Sequence, residues 1–385
     1  MHNIVEGLLL DVHEIKVGVP GTTVPPFDDV IRNAKRAEEL GYDSIWWPDH
    51  LMGWIPESLW TPDITPLVAR MKSPHVFLDP LVTMAAVAVH TSRVLLGTSV
   101  TECFRRHPPT LAQEILTLDH ISRGRVILGI GAGELENIEP YGIPYDKPAS
   151  RLEEAIKIIK LLWSSKGKKV SFDGKFWKLR DAVFDLEPYR EGRYPPIWVG
   201  AHGKRTLEIT GRLADGWLPA CLPVEEYREM LNIVRDAAKR AGRDPSEITP
   251  ALYAYVVIDR EHEECHRLFK TPLIKAWALT ASSSMYEKYG FEHPFGKGFN
   301  PLTQYVPTRR TREEVLRALE RVPGEICEHY FLHGTPDEVI KKIEEYAKVG
   351  MQHIVLWNIT YFGDATKVGE SFRCLAEVLR YIKSK

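Results

Sequence analysis

Four separated stretches of the chain set proton-handling or anion-binding groups beside glycine or proline. Asp49-His50 is followed four residues later by Trp54. A histidine takes or gives a proton near neutral pH, and an indole packs against a ring or donates one hydrogen bond. Arg125-Val-Ile-Leu-Gly-Ile-Gly-Ala-Gly-Glu134 runs from apolar residues through alternate glycines to an acid, with Asn137 just beyond. Gly129, Gly131 and Gly133 carry no side chain, so a flat ligand could lie directly on backbone there. Gly97-Thr98-Ser99-Val100 is the third stretch and Gly200-Ala201-His202-Gly203-Lys204 the fourth. Backbone amides at a helix start after Gly203, with His202 or Lys204 nearby, suit a phosphate. Each stretch also has a plain reading: a capped loop with a structural Asp–His contact, a tight turn with a surface glutamate, an ordinary Gly-x-x-Gly turn.

The elements between these stretches decide whether they meet. A strand-then-helix alternation runs almost from end to end, with strands expected at 16–20, 43–47, 93–100, 125–134, 196–200, 215–219, 252–258 and 353–357. Helices are expected at 27–40, 81–90, 110–121, 151–163, 206–213, 224–241, 337–349 and 372–382. Val170-Ser-Phe-Asp-Gly-Lys-Phe-Trp177 reads as a hairpin turning at Asp-Gly. Eight such units argue for an α/β fold of the (β/α)8 TIM-barrel type, one domain over residues 1–385, with insertions after strands 2, 4 and 7. The two long insertions, about 48–78 and 259–327, would open on the carboxyl face, where an active-site cover belongs. On that face Asp49, His50, Ser99, Val100 and Glu134 share one cavity, and their convergence says more than any one motif.

Composition narrows the partners. Lys+Arg number 50 against 52 Asp+Glu, which argues against a nucleic-acid-binding face. The scattered cysteines form no CxxC pair and fit a reduced, cytoplasmic protein. Residues 1–10 lack the basic flank of a signal peptide, and the apolar stretch at 80–89 is about half of what a bilayer demands, so no membrane partner is expected. His262-Glu-Glu-Cys-His266 matches the HExxH pattern of zinc hydrolases, but it lies in a run of charges that reads as a solvated helix face, without a third ligand at close spacing, and no metal is expected. Gly129-x-Gly-x-Gly133 has the wrong spacing, on the wrong strand, for a dinucleotide fingerprint.

With these residues in place, the chain resembles the bacterial-luciferase-like superfamily, and within it the branch that uses the deazaflavin coenzyme F420. The resemblance runs from Lys16 to about Ile382. It is carried by Asp49-His50 with Trp54, Gly97-Thr-Ser-Val100, 124–134 with Asn137, and Gly200-Ala-His-Gly203. It is similar to F420-dependent glucose-6-phosphate dehydrogenase, and residues 49–60 look closer to phthiodiolone ketoreductase-like members. The resemblance implies hydride transfer between deazaflavin C5 and a small-molecule alcohol/ketone substrate. It implies His50 as substrate-side acid/base, Trp54 steadying the reacting oxygen, and Glu134 beside the deazaflavin. Asp49, Thr98, Ser99, Val100, Gly131, Gly133, Asn137 and Gly200, Ala201, His202 and Gly203 are implied to hold the cofactor, with a cis peptide at Ser99–Val100, and a homodimer is the family habit. Ala220-Cys-Leu-Pro223 and His329 stand where the glucose-6-phosphate enzyme has cationic groups, which argues against a sugar phosphate. Trp60, Phe77, Trp277, Tyr286, Phe291 and Phe299 in the insertions suit a larger, less charged substrate. Rival readings are an FMN-dependent monooxygenase, a methylene-tetrahydromethanopterin reductase-like enzyme, and a flavin-binding barrel without turnover. The second is disfavoured by Val17-Gly-Val19, where those reductases carry an acid.

Overall fold

The structure is a computed structural model that describes residues 11–384; the leader reading of residues 1–10 lies outside them. Eight parallel strands close a barrel: β1 (Lys16–Pro20), β2 (Ser44–Trp47), β3 (Leu95–Thr98), β4 (Val126–Gly131), β7 (Ile197–Gly200), β8 (Gly216–Trp217), β9 (Thr249–Ile258) and β11 (His353–Asn358). Pairing runs around the ring in chain order and closes through β9–β11 and β11–β1. A short hairpin, β5 (Val170–Asp173) and β6 (Lys178–Ala182), hangs off the barrel. A ninth parallel strand, β10 (Leu332–Gly334), pairs with β9 from outside the ring.

Local sequence explains the elements. β4 is buried along its whole length, as a strand covered on both faces must be. The helix Phe27–Leu40 buries Val30, Ala34 and Ala37, one stripe at helical spacing. It stops at Gly41, whose φ of 92° lets its N–H turn back onto the Ala37 and Glu38 carbonyls. Inside the barrel, Trp46 and Trp198 pack with ring centroids 5.3 Å apart, beside Ile127, Leu218, Ala251 and Val355. Gly97 and Gly216 make room for them, since a Cβ on either would lie 2.4 Å from an indole carbon. Below, the ring of His353 meets both indoles edge-on and lies 2.8 Å from the Ser44 hydroxyl.

Three features depart from the expected layout. The hairpin does not turn at Asp173-Gly174: Asp173 pairs with Lys178, and residues 174–177 form a wider turn. Glu154 holds that turn by accepting the backbone N–H groups of Lys175, Phe176 and Trp177 at 2.8, 2.9 and 2.7 Å. The insertion after β9 is mostly helical and ends in β10, which its short, mixed sequence gave no sign of. Finally, the two long insertions share one core, in which Leu59 and Trp60 of the first pack with Trp277, Tyr286, Val315 and Ile326 of the second. Arg312 fastens them by donating to the Ser58 carbonyl at 2.6 Å and the Thr61 hydroxyl at 2.9 Å and by pairing with Asp63. Among the described residues, no helix is long and apolar enough to cross a membrane. The five cysteines are buried free thiols.

Candidate functional site

His50 and Glu134, delivered by the ends of β2 and β4, face each other at the barrel mouth, with His50 Nε2 3.4 Å from a Glu134 oxygen. One face of the imidazole is covered by Phe77, stacked at 5.4 Å. The other ring nitrogen, Nδ1, lies 3.0 Å from the Asn137 amide nitrogen and 3.0 Å from the Met52 carbonyl. One neighbour is a donor and the other an acceptor, so either neutral tautomer finds a partner at Nδ1 without the ring moving. Asn137 is buried, and its Oδ1 accepts the N–H groups of Leu51 and Met52 at 2.7 and 2.9 Å. The residue implied to hold a cofactor thus ties down the loop that carries His50.

Glu136 lies beneath this pair, fully buried, accepting from Asn137 at 3.0 Å. Burial, and then the neighbouring Glu134 charge, push its carboxyl well above the usual carboxylate range. Asp49 is also buried. It accepts from Thr101 Oγ1 at 2.6 Å and Arg106 Nε at 2.7 Å, and Arg105 Nη2 lies 3.3 Å away. Burial alone would raise its pKa; the two guanidinium groups outweigh that and hold the carboxyl below its ordinary value.

The glycine floor is not bare. Val100 occupies it: a Cβ on Gly131 would lie 2.7 Å from Val100 Cγ2, and one on Gly200, its cross-strand neighbour, 3.3 Å from both methyl carbons. A flat ligand at this level would therefore rest on the Val100 isopropyl group. The Ser99–Val100 peptide is cis, as the resemblance implies. The Ser99 hydroxyl is buried and lies toward Tyr253 without reaching a hydrogen-bond partner among the described residues. Thr98 instead spends its hydroxyl on the Gly129 carbonyl at 2.6 Å. Gly133 has a φ of 82°, and its carbonyl accepts from the Tyr145 hydroxyl at 2.8 Å. Gly200 and Ala201 lead into the helix Lys204–Leu213, with Gly203 as its N-terminal flank. His202 turns inward, its Nε2 2.9 Å from the Ala220 carbonyl, and burial lowers its pKa.

Trp54 stacks on Tyr305 of the second insertion, with centroids 5.8 Å apart. Of the insertion aromatics expected to line a substrate cavity, Trp60, Trp277, Tyr286 and Phe299 are buried, and Trp60, Trp277 and Tyr286 belong to the core the insertions share. Phe291 packs partly buried against that core, and Phe77 reaches His50. A cover of this size must first fill its own interior, and large rings do that best. The residues that sequence reasoning passed over are Arg105, Arg106 and Glu136. Glu136, two residues after Glu134, was the most readable signal among them.

The sequence matches the luciferase-like monooxygenase model over residues 9–353. A phthiodiolone/phenolphthiodiolone dimycocerosates ketoreductase of Mycobacterium bovis (strain BCG / Pasteur 1173P2) is 36% identical over 338 residues, covering 87% of this chain and 88% of the relative. An F420-dependent glucose-6-phosphate dehydrogenase of Microbacterium testaceum (strain StLB037) is 30% identical over 326 residues, covering 83% and 84%. In fold, the structure resembles an F420-dependent secondary alcohol dehydrogenase solved with an F420-acetone adduct, with a TM-score of 0.71 at 22% identity over 94% of this chain and 99% of that one. The family model spans most of the chain and the relatives match along most of its length: the chain belongs to the luciferase-like monooxygenase family.

Proposed function

We propose that the protein is an F420-dependent oxidoreductase acting on an alcohol/ketone-type substrate that is not a sugar phosphate. The observation that carries this reading is the His50–Glu134 contact, 3.4 Å across the barrel mouth, in a chain whose relatives include an F420-dependent dehydrogenase and a ketoreductase. The mouth fits a flat ring. Val100 in its glycine cradle, the unpartnered Ser99 hydroxyl and the helix start after Gly203 would hold the cofactor. Thr98, Asp49, Asn137 and His202 would contribute indirectly, because their polar groups are engaged within the protein. When bound, the deazaflavin supplies or takes a hydride at C5.

His50 would exchange the proton at the substrate oxygen through Nε2, with Nδ1 switching between Asn137 and the Met52 carbonyl. Glu134 would serve the cofactor side and hold the Nε2 proton in line, and Trp54 would stabilise charge developing on the oxygen. The joined insertions would act as lids that exclude water. A substrate other than a sugar phosphate is supported by Ala220–Pro223 and His329, which stand where the glucose-6-phosphate enzyme has cationic groups. A homodimer remains part of the proposal and is read by sedimentation.

Titration of the purified protein with F420, FMN and NADP tests the cofactor, and tight FMN binding without F420 binding would overturn the proposal. His50→Ala and Glu134→Gln should bind F420 normally and lose more than about a hundredfold in turnover. Unchanged turnover in both variants would instead favour a barrel that binds the cofactor without using these groups.

A further inference from the structure

The pattern His262-Glu-Glu-Cys-His266 lacks a third ligand in the sequence, and the fold supplies one. His262 and His266 lie one turn apart on the helix Cys265 shares with them, His262–Leu268, and β10 brings His333 against them from the far end of the insertion. One ring nitrogen from each of the three lies within 4.8 Å of the other two, and Nε2 of His262 is 2.8 Å from Nε2 of His266.

The outer nitrogens decide what the inner ones are. His262 Nδ1 is 2.9 Å from Glu338, His266 Nδ1 3.2 Å from Glu328, and His333 Nδ1 3.2 Å from the Phe331 carbonyl. All three partners are acceptors, so the tautomer they favour keeps the proton on Nδ1 and leaves the Nε2 lone pair free, and the Nε2 atoms of His262 and His266 face each other. Facing lone pairs repel unless a cation lies between them. Carboxylates and a carbonyl behind metal-binding histidines are the usual means of fixing that tautomer. Two nitrogens bound at about 2.0–2.1 Å in a tetrahedral site sit roughly 3.3 Å apart, so small side-chain rotations complete the arrangement. Two glutamates behind three neutral imidazoles also balance the charge of a divalent ion.

We propose that His262, His266 and His333 form a binding site for a divalent transition metal of the zinc type, with water in the fourth position. Glu263 is solvent-exposed on a short helix, so the role is structural, not hydrolytic. The ion clips the first helix of the long insertion to its last strand, on the outside of β9 and apart from the barrel mouth. The inference stands independently of the reaction assigned to that mouth.

The test uses the full chain without an affinity tag, stripped by a chelator and titrated with Co2+ and then Zn2+. One equivalent of Co2+ should give visible absorption of tetrahedral intensity that Zn2+ abolishes, and either metal should raise the thermal midpoint. His262→Ala and His333→Gln should each weaken binding by about a hundredfold or more, and Glu338→Gln, which keeps the helix cap, by about tenfold or more. His90→Ala, at an exposed site elsewhere, should change nothing. Binding that persists in both His262→Ala and His333→Gln would overturn the proposal. So would metal-free protein whose 15N imidazole spectrum shows a shared proton while Co2+ fails to bind. His262 sits half-exposed at a helix end, so its variant keeps the test decisive even if His333→Gln folds poorly.

Discussion

Asn137 is connected to both sides of the His50 problem, holding the loop through Leu51 and Met52 and offering an amide hydrogen to the imidazole. Removing it should cost more than a contact. Asn137→Ala is expected to lower turnover by about tenfold or more and stability by about 1–3 kcal/mol, because two backbone donors lose their acceptor. Parallel kinetics and denaturant melts would check it; an unchanged turnover would show that Asn137 has no part in orienting His50. Glu136 predicts a pH effect with a definite sign. Its carboxyl is protonated in the folded chain over a range where the unfolded chain has already ionised, so it penalises the fold as pH rises above about 4.5. Glu136→Gln stays neutral and should gain stability over the parent with rising pH, which chemical denaturation from pH 4 to pH 8 would measure. At this scale His50 and Glu134 were legible because residue type and strand position coincide. Arg105 and Arg106 were not, because the carboxylate they neutralise, Asp49, lies on a different strand end and only folding joins them.

The glycines of β4 differ in what stands opposite them, and substitution should separate them. A Cβ on Gly129 would fall 1.7 Å from the Thr98 carbonyl oxygen, a backbone atom that cannot give way without moving β3. Gly129→Ala should cost about 3 kcal/mol or more, and soluble yield and melting would show it. Gly131→Ala clashes with the Val100 side chain, at 2.7 Å from Cγ2, and meets the Gly200 carbonyl oxygen at an ordinary 3.8 Å. It should weaken F420 binding far more than it lowers the melting temperature, and Val100→Ala in the same chain should restore room and part of the affinity. If the double variant binds no better than Gly131→Ala alone, Val100 is not the platform. The alternation of strands and helices was readable because apolar periodicity is local. The hairpin turn and β10 were hidden for the opposite reason: a glutamate on the preceding helix shapes the one, and the edge of β9 recruits three residues as the other.

The barrel as a whole depends on an uncharged His353. Burial lowers its pKa to about 3, against 6.5 in an unfolded chain. The unfolded state therefore binds the extra proton first as pH falls, so stability is full above pH 6.5 and drains between pH 6.5 and 3, by on the order of 5 kcal/mol. His353→Gln should show a lower plateau and a flatter acid limb in denaturant midpoints; an acid limb as steep as the parent's would refute the assignment. Such interior packing was invisible in the sequence, where Trp46, Trp198 and His353 are simply far apart, although the barrel class itself was plain from the repeat.

Because Leu59, Trp60 and their partners from the second insertion fill one interior, neither insertion is an exchangeable part. A chimera that borrows only one of them from a relative inherits half a core, exposes the other half, and loses the Arg312 anchor across the seam. The two insertions are therefore transplanted, by an engineer or by descent, as a matched pair.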